Sequence, residues 1–231
     1  MKPITPKTHA DKRWQKHSSY ALAKQNALVP LTLMDLSRAA VEMPIVLFKQ
    51  KGEYHLAALL GTDRNNNLFV DSEGNWQGNY VPALLKGHPF RMVKSKDGGF
   101  VLCVDEDSGL VGDKGSKFVD EEGNPTQKVQ AIGKFLRQAE QSRRAAVKAC
   151  KTLDDSGLIQ PVPKMQGLYQ IDRKNLGQIP EENLPDLHKS WALFVAHCQI
   201  ISRQHLKKLE QMAKESDEPE LDFDLDERLN I

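Results

Sequence analysis

Between residues 44 and 105, the apolar runs of this chain are separated by turns of only a few residues. Ile45-Val46-Leu47-Phe48 is followed by Lys51-Gly52-Glu53 and a return run over 54–60. Gly61 and Asn65-Asn66-Asn67 turn the chain towards Leu68-Phe69-Val70, and Ser72-Glu73-Gly74-Asn75 turns it towards Trp76 and Tyr80-Val81. Runs at 90–95 and 100–105 flank Asp97-Gly98-Gly99. Parallel strands need crossovers of a dozen or more residues, so strands this closely spaced pair antiparallel. The spacing predicts an antiparallel sheet of about five strands built from residues 44–105.

Helical signals flank this block. Leu28-Val29-Pro30-Leu31 reads as extended, because proline disfavours helix at the residue before it. Thr32 reads as the cap of a helix to Met43, with Leu33, Leu36, Ala39, Ala40 and Met43 on one face, ended by Pro44. Over 126–153, Val129, Ile132, Leu136, Ala139, Ala146, Cys150 and Leu153 recur mainly at three- and four-residue spacings, the pattern of a long amphipathic helix. A strand at 167–172 and a helix at 181–190 follow. The apolar run 192–201 fits a buried strand or a helix, and Ser202 reads as the cap of a last helix carrying Leu206, Leu209 and Met212. The fold class expected is α+β, with the long helix and the C-terminal helices packed on the sheet. The expected organisation is a flexible basic arm at 1–16, a single domain at 17–214 and an acidic tail at 215–231.

Charge separates these parts. Thirty-two Lys and Arg face thirty-one Asp and Glu, a net charge of +1, which argues against bulk nucleic-acid binding. Residues 1–30 carry +5, residues 215–231 carry −7 and the remainder carries +3. No run of about 18 apolar residues occurs, so no membrane span is expected. The first thirty residues lack the apolar core of a signal peptide. Cys103, Cys150 and Cys198 are scattered and form no CxxC pair, as reduced thiols of a cytoplasmic protein would be.

Known chemical motifs are missing. Seven histidines (His9, His17, His55, His88, His188, His197 and His205) show neither HxH nor HExxH spacing. The acidic turns starting at Asp71 and Asp105 put Trp76 and Leu110 where a calcium loop needs glycine, and Pro82 and Ser116 where it needs glutamate. There is no GxSxG, and Gly109, Gly112, Gly115 and Lys114 match no phosphate-binding loop. No catalytic residue, metal site or cofactor is expected. Phe69-Val70-Asp71-Ser72-Glu73-Gly74-Asn75 recurs as Phe118-Val119-Asp120-Glu121-Glu122-Gly123-Asn124, read as one turn chemistry used twice.

Two segments stand out as binding candidates. Trp76, Tyr80 and Phe90, interleaved with Lys86, His88 and Arg91, fit a surface that stacks a ligand or holds an extended peptide. They equally fit aromatics closing the end of a sheet with solvated bases beside them. In the tail, Leu221-Asp222-Phe223-Asp224-Leu225-Asp226 alternates with period two, which would put Leu221, Phe223 and Leu225 on one side of a strand added to a sheet edge of the chain itself, a second copy or a partner. A disordered acidic tail is the alternative.

The body of the chain resembles the bacterial SapC family, named for a product of a surface-layer protein locus. The residues that carry the likeness are Val29-Pro30-Leu31, Pro44-Ile45-Val46, Leu59-Leu60-Gly61, Asn67-Leu68-Phe69-Val70-Asp71, Gly74, Trp76, Tyr80-Val81-Pro82-Ala83, Pro89-Phe90, Leu102-Cys103-Val104-Asp105, Phe118 with Gly123 and Pro125-Thr126, Gly167-Leu168-Tyr169 and the segment 192–209. The chain departs from the family pattern at Lys86-Gly87-His88, where an Arg-Arg-aromatic triplet is common, and at Trp191, where a small residue is common. The resemblance implies a link to surface-layer biogenesis, export or outer-membrane uptake, and implies no catalytic residue or cofactor. The expected function is a non-catalytic binding or accessory protein for a peptide or protein partner. The alternative is an enzyme, or an enzyme-assisting protein, acting on a peptide or amino acid.

Overall fold

The computed structural model describes residues 1–95 and 97–216, together with the backbone of Phe223–Asp224. Its strands, in chain order, are β1 (Lys2–Pro3), β2 (Arg13–Trp14), β3 (Leu28–Pro30), β4 (Ile45–Gln50), β5 (Glu53–Leu59), β6 (Phe90–Lys94), β7 (Phe100–Val104), β8 (Val111–Gly112), β9 (Ser116–Lys117), β10 (Ile159–Val162), β11 (Met165–Ile171) and β12 (Phe223–Asp224). The helices are α1 (Pro6–His9), α2 (Leu36–Ala39), α3 (Ala83–Lys86), α4 (Gln127–Asp155), α5 (Arg173–Leu176), α6 (Leu184–Lys189), α7 (Ala192–Ser202) and α8 (Leu206–Glu215). The fold is α+β. The chain divides into two units, one of residues 1–18 and 84–141, the other of residues 19–83 and 142–231.

The unit of residues 19–83 and 142–231 is built on a five-strand antiparallel path, β10-β11-β4-β5-β3. The β4–β5 hairpin pairs Ile45 with Ala58 and Phe48 with His55. Its two-residue turn puts Lys51 and Gly52 at φ 50° and 83°, the positive values that tight hairpins require. Ile45, Val46, Leu47 and Phe48 are all buried, so both faces of β4 are covered. Helix α7 is tied to this sheet by buried polar groups. The Gln199 amide donates to the Ile45 carbonyl (3.1 Å) and accepts from the Ile171 N–H (3.2 Å). Ser202 accepts from the Ile45 N–H (2.9 Å) and donates to the Gln199 carbonyl (2.7 Å). Ser202 therefore serves the sheet and does not cap α8, which starts without a side-chain cap.

In the unit of residues 1–18 and 84–141, β6 and β7 form a hairpin with β1 beside β7, and β2 lies between β8 and β9. Its core gathers Trp14, Phe90, Val104, Phe118, Val119, Val129 and Leu136. Residues 1–16, expected as a flexible arm, carry β1, α1 and β2. Lys2 and Pro3 pair with Val104 and Cys103, and Trp14 is 8% exposed.

The expected sheet of residues 44–105 differs from the observed one in membership. The hairpin at 90–104 lies in a sheet of its own with β1, and β10, β11 and β3 complete the five-strand path. Leu68-Phe69-Val70 is no strand and contributes an isolated bridge from Val70 to Trp76. The buried side chain of Asn67 accounts for this. Its oxygen takes the Phe69 N–H and its nitrogen donates to the Ala23 carbonyl, satisfying backbone groups that a ladder would otherwise pair. The helix expected over 32–43 is regular only at 36–39, because Asp35 takes the Thr32 N–H and hydroxyl and folds the preceding residues into a turn. The run 192–201 is helix. The repeated acidic turn is the same geometry in both copies, one in each unit. Asp71 Oδ1 accepts from the Glu73 and Asn75 N–H groups, as Asp120 Oδ1 does from Glu122 and Asn124. Gly74 and Gly123 share a φ of 84°.

Candidate functional site

The six expected surface residues are divided by the fold. Trp76 and Tyr80 belong to the unit of residues 19–83 and 142–231. The Trp76 indole N–H donates to the Tyr80 carbonyl (2.9 Å), and its ring lies against Phe69 and Tyr20. Tyr80 is 8% exposed, and its hydroxyl donates to the buried Asp35. Lys86, His88, Phe90 and Arg91 belong to the other unit. Lys86 ends α3 and is exposed, Phe90 opens β6 and is 4% exposed, and Arg91 is exposed opposite Cys103.

Three of those four meet at one cavity of about 390 Å³. Its apolar wall is Trp14, Phe90, Ala131, Ile132 and Phe135, and Lys16, Lys86, Lys128 and His88 also line it. Local sequence explains each part. Lys128, Ala131, Ile132 and Phe135 fall at i, i+3, i+4 and i+7 of α4, so they share one helical face, while Val129 and Leu136 turn into the core. Trp14 is held on β2 between Val111 and Ser116 and meets Phe90 edge-on, with ring centroids 4.9 Å apart and planes at 89°. Gly87 lets the loop approach the helix: a Cβ there would sit 2.5 Å from Leu136 Cδ2. The His88–Pro89 peptide is cis, and the Phe90 N–H closes onto the Gly87 carbonyl (2.8 Å).

The electrostatics are one-sided. Three lysines line the cavity, and no carboxylate is among its lining residues. Burial pushes the His88 imidazole below its ordinary range, and the neighbouring His17, with ring centroids 5.8 Å apart, lowers it further; Asp105 partly opposes this. Burial thus favours the neutral form of His88, and the fixed charge lining the cavity is that of the lysines.

A second cluster in the same unit is ionic. Glu106 is paired with Lys2 and Lys12, and His9 Nε2 lies 3.4 Å from its Oε1. Hydrogen bonds from Lys12 and Lys2 hold the Glu106 carboxyl down at about 2, whereas burial lowers His9. All three cysteines are buried free thiols, and desolvation raises each, Cys150 to about 12. A protonated buried thiol is a poor nucleophile. No group of three His, Cys, Asp or Glu fit to hold a metal occurs among the described residues.

Sequence reasoning missed Trp14, Lys16, Lys128, Ala131 and Phe135. The four- and three-residue spacing of Lys128, Ile132 and Phe135 was legible as a helical face, but a face alone does not show what lies opposite it. Trp14 stood alone among polar residues. Of the tail, Leu221 and Leu225 lie outside the described residues, and Phe223 is described by its backbone, which pairs parallel with Met165.

Among the described residues no helix is long and apolar enough to cross a membrane. One family model, SapC, matches residues 4–209. No curated protein and no solved structure matches the chain.

Proposed function

The chain belongs to the SapC family, and on that footing we propose that it is a non-catalytic binding or accessory protein whose partner is a peptide or an extended protein segment. The proposed partner belongs to a surface-layer, export or outer-membrane uptake system. The observation that carries this reading is the cavity walled by Trp14, Phe90, Ile132 and Phe135. Its 390 Å³ lies at the small end of the range for ligand sites, about 300–1,000 Å³. That suits one or two bulky side chains of an extended segment better than a folded element. Lys86, His88 and Phe90 serve at this cavity in the reading; Trp76 and Tyr80 serve their own unit.

Selection of a random peptide library against the full chain tests the proposal. Enriched peptides are expected to lose binding to Phe135→Ala and to Ala131→Glu, with circular dichroism and melting unchanged for the exposed Ala131 position. Enrichment of no peptide, or binding indifferent to both variants, overturns it.

A further inference from the structure

We propose that the partner segment binds as an added strand on the outer edge of β6, with one of its side chains entering the cavity at the Phe90 end. This rests on the peptide-binding reading and supplies its mode of recognition. In the sheet order β1-β7-β6, β6 is paired on one side only among the described residues. The hairpin register shows which of its backbone groups are left over. The Ser95 N–H donates to the Gly99 carbonyl and the Asp105 N–H to the Pro89 carbonyl, each at 2.9 Å. Hydrogen-bonded and non-hydrogen-bonded positions alternate along an antiparallel pair. Positions 89, 91, 93 and 95 therefore face β7, while Phe90, Met92 and Lys94 turn their N–H and carbonyl groups to the outer edge. The Phe90 N–H is taken by the Gly87 carbonyl (2.8 Å). The Phe90 carbonyl and both backbone groups of Met92 and of Lys94 remain, spaced every second residue as a partner strand needs.

Edge and cavity are continuous, because Phe90 opens β6 and also walls the cavity. Phe90 and Met92 point into the core that Ile132 and Phe135 of α4 also meet. Side chains on the same face of an added strand would extend outward from Phe90 onto the wall of Ile132 and Phe135. A segment with apolar residues at alternate positions, and no proline where its N–H must face β6, satisfies backbone and cavity together. A second copy of the chain is a poorer occupant. Pairing β6 with β6 would bring the exposed Arg91 and Lys94 of both copies onto one short ribbon, like charge beside like. The chain's own segment 221–226 has the alternating pattern, but its Phe223–Asp224 backbone pairs with Met165–Gln166 in the other unit.

Peptides enriched by selection of the random library test the mode once they are resynthesised in two forms, N-methylated at every odd or at every even residue. One form is expected to lose about tenfold or more in affinity and the other to bind nearly as the parent does, because only alternate N–H groups of an added strand face β6. The bound parent should slow amide hydrogen exchange at Met92 and Lys94 and leave Arg91 and Val93, already bonded to β7, little changed. Lys94→Pro removes an outward N–H and spares the ladder to β7, so it should weaken binding about fivefold with melting little changed. If the two N-methylated forms behave alike while the parent still loses affinity in Ala131→Glu, strand addition is overturned and the peptide reading stands. Unchanged exchange at Met92 and Lys94 in the bound chain overturns it in the same way. A chain that sediments as a dimer, and as a monomer in Lys94→Pro, would make the second copy the occupant of this edge and overturn it too.

Discussion

The Tyr80 hydroxyl donates to Asp35 Oδ1 across 2.5 Å in a site where both side chains are buried. The same carboxyl accepts the Ala83 N–H at 2.8 Å on Oδ1, and the Thr32 N–H and hydroxyl at 2.7 Å each on Oδ2. One side chain thus gathers the turn before α2, the residue that opens α3 and an aromatic ring between them. Tyr80→Phe removes one donor and is expected to lower stability by about 1–2 kcal/mol, while Asp35→Ala strands four donors and is expected to cost more than about 3 kcal/mol. Urea unfolding of both variants checks this order. Burial first, and Asp35 next, push the Tyr80 phenol well above its ordinary value, so its phenolate absorbance should appear only on unfolding.

Acid stability follows from Glu106 and His9. Glu106 titrates at about 2 in the folded protein, below its ordinary value, so its contribution is present above about 4.5 and is lost as pH falls towards 2. His9 is lowered by burial, so the native state binds fewer protons than the unfolded chain once pH drops below about 6.5, and stability falls there too. Melting temperature should therefore decline from pH 7 downwards in two stages. Glu106→Gln should flatten the stage below pH 5. A variant that keeps the wild-type slope there would remove Glu106 as its cause.

Gly87 brings the loop before β6 close to Leu136 of α4. Gly87→Ala places a Cβ 2.5 Å from the buried Leu136 side chain and 3.4 Å from the Phe90 carbonyl. Overpacking of this kind is expected to destabilise by about 1–3 kcal/mol. Leu136→Ala in the same chain should recover part of that cost, and a double-mutant cycle measures the coupling.

Trp191 precedes α7 with φ at 67°, in the left-handed region, and is 58% exposed. A side chain there is strained where glycine is not, and the ring rests edge-on against Phe194, 5.9 Å away. Trp191→Gly is expected to raise stability by about 1 kcal/mol, because relief of the strain outweighs glycine's greater freedom when unfolded. A lower denaturation midpoint would show that the ring contributes more than its backbone costs.

The antiparallel hairpin at 45–59, the long helix near 127–155 and the twin acidic turns were legible because each is written in local spacing: apolar runs around a tight turn, a three-and-four repeat, and one aspartate accepting two N–H groups ahead of it. The same local logic placed Lys86, His88 and Phe90 together, since they lie within five residues of one another. It misassigned Ser202, whose hydroxyl serves Ile45 across 157 residues of chain, and it read residues 1–16 as an arm. Trp14 is an isolated aromatic in a polar stretch until β8, β9 and Phe90 come to it through folding. By itself the sequence determined where the chain turns and which helical faces are apolar, because hydrogen bonds and periodicity act over a few residues. Tertiary structure alone decided which sheet each hairpin joined and which three lysines share one cavity, because burial and charge convergence depend on residues far apart in the chain.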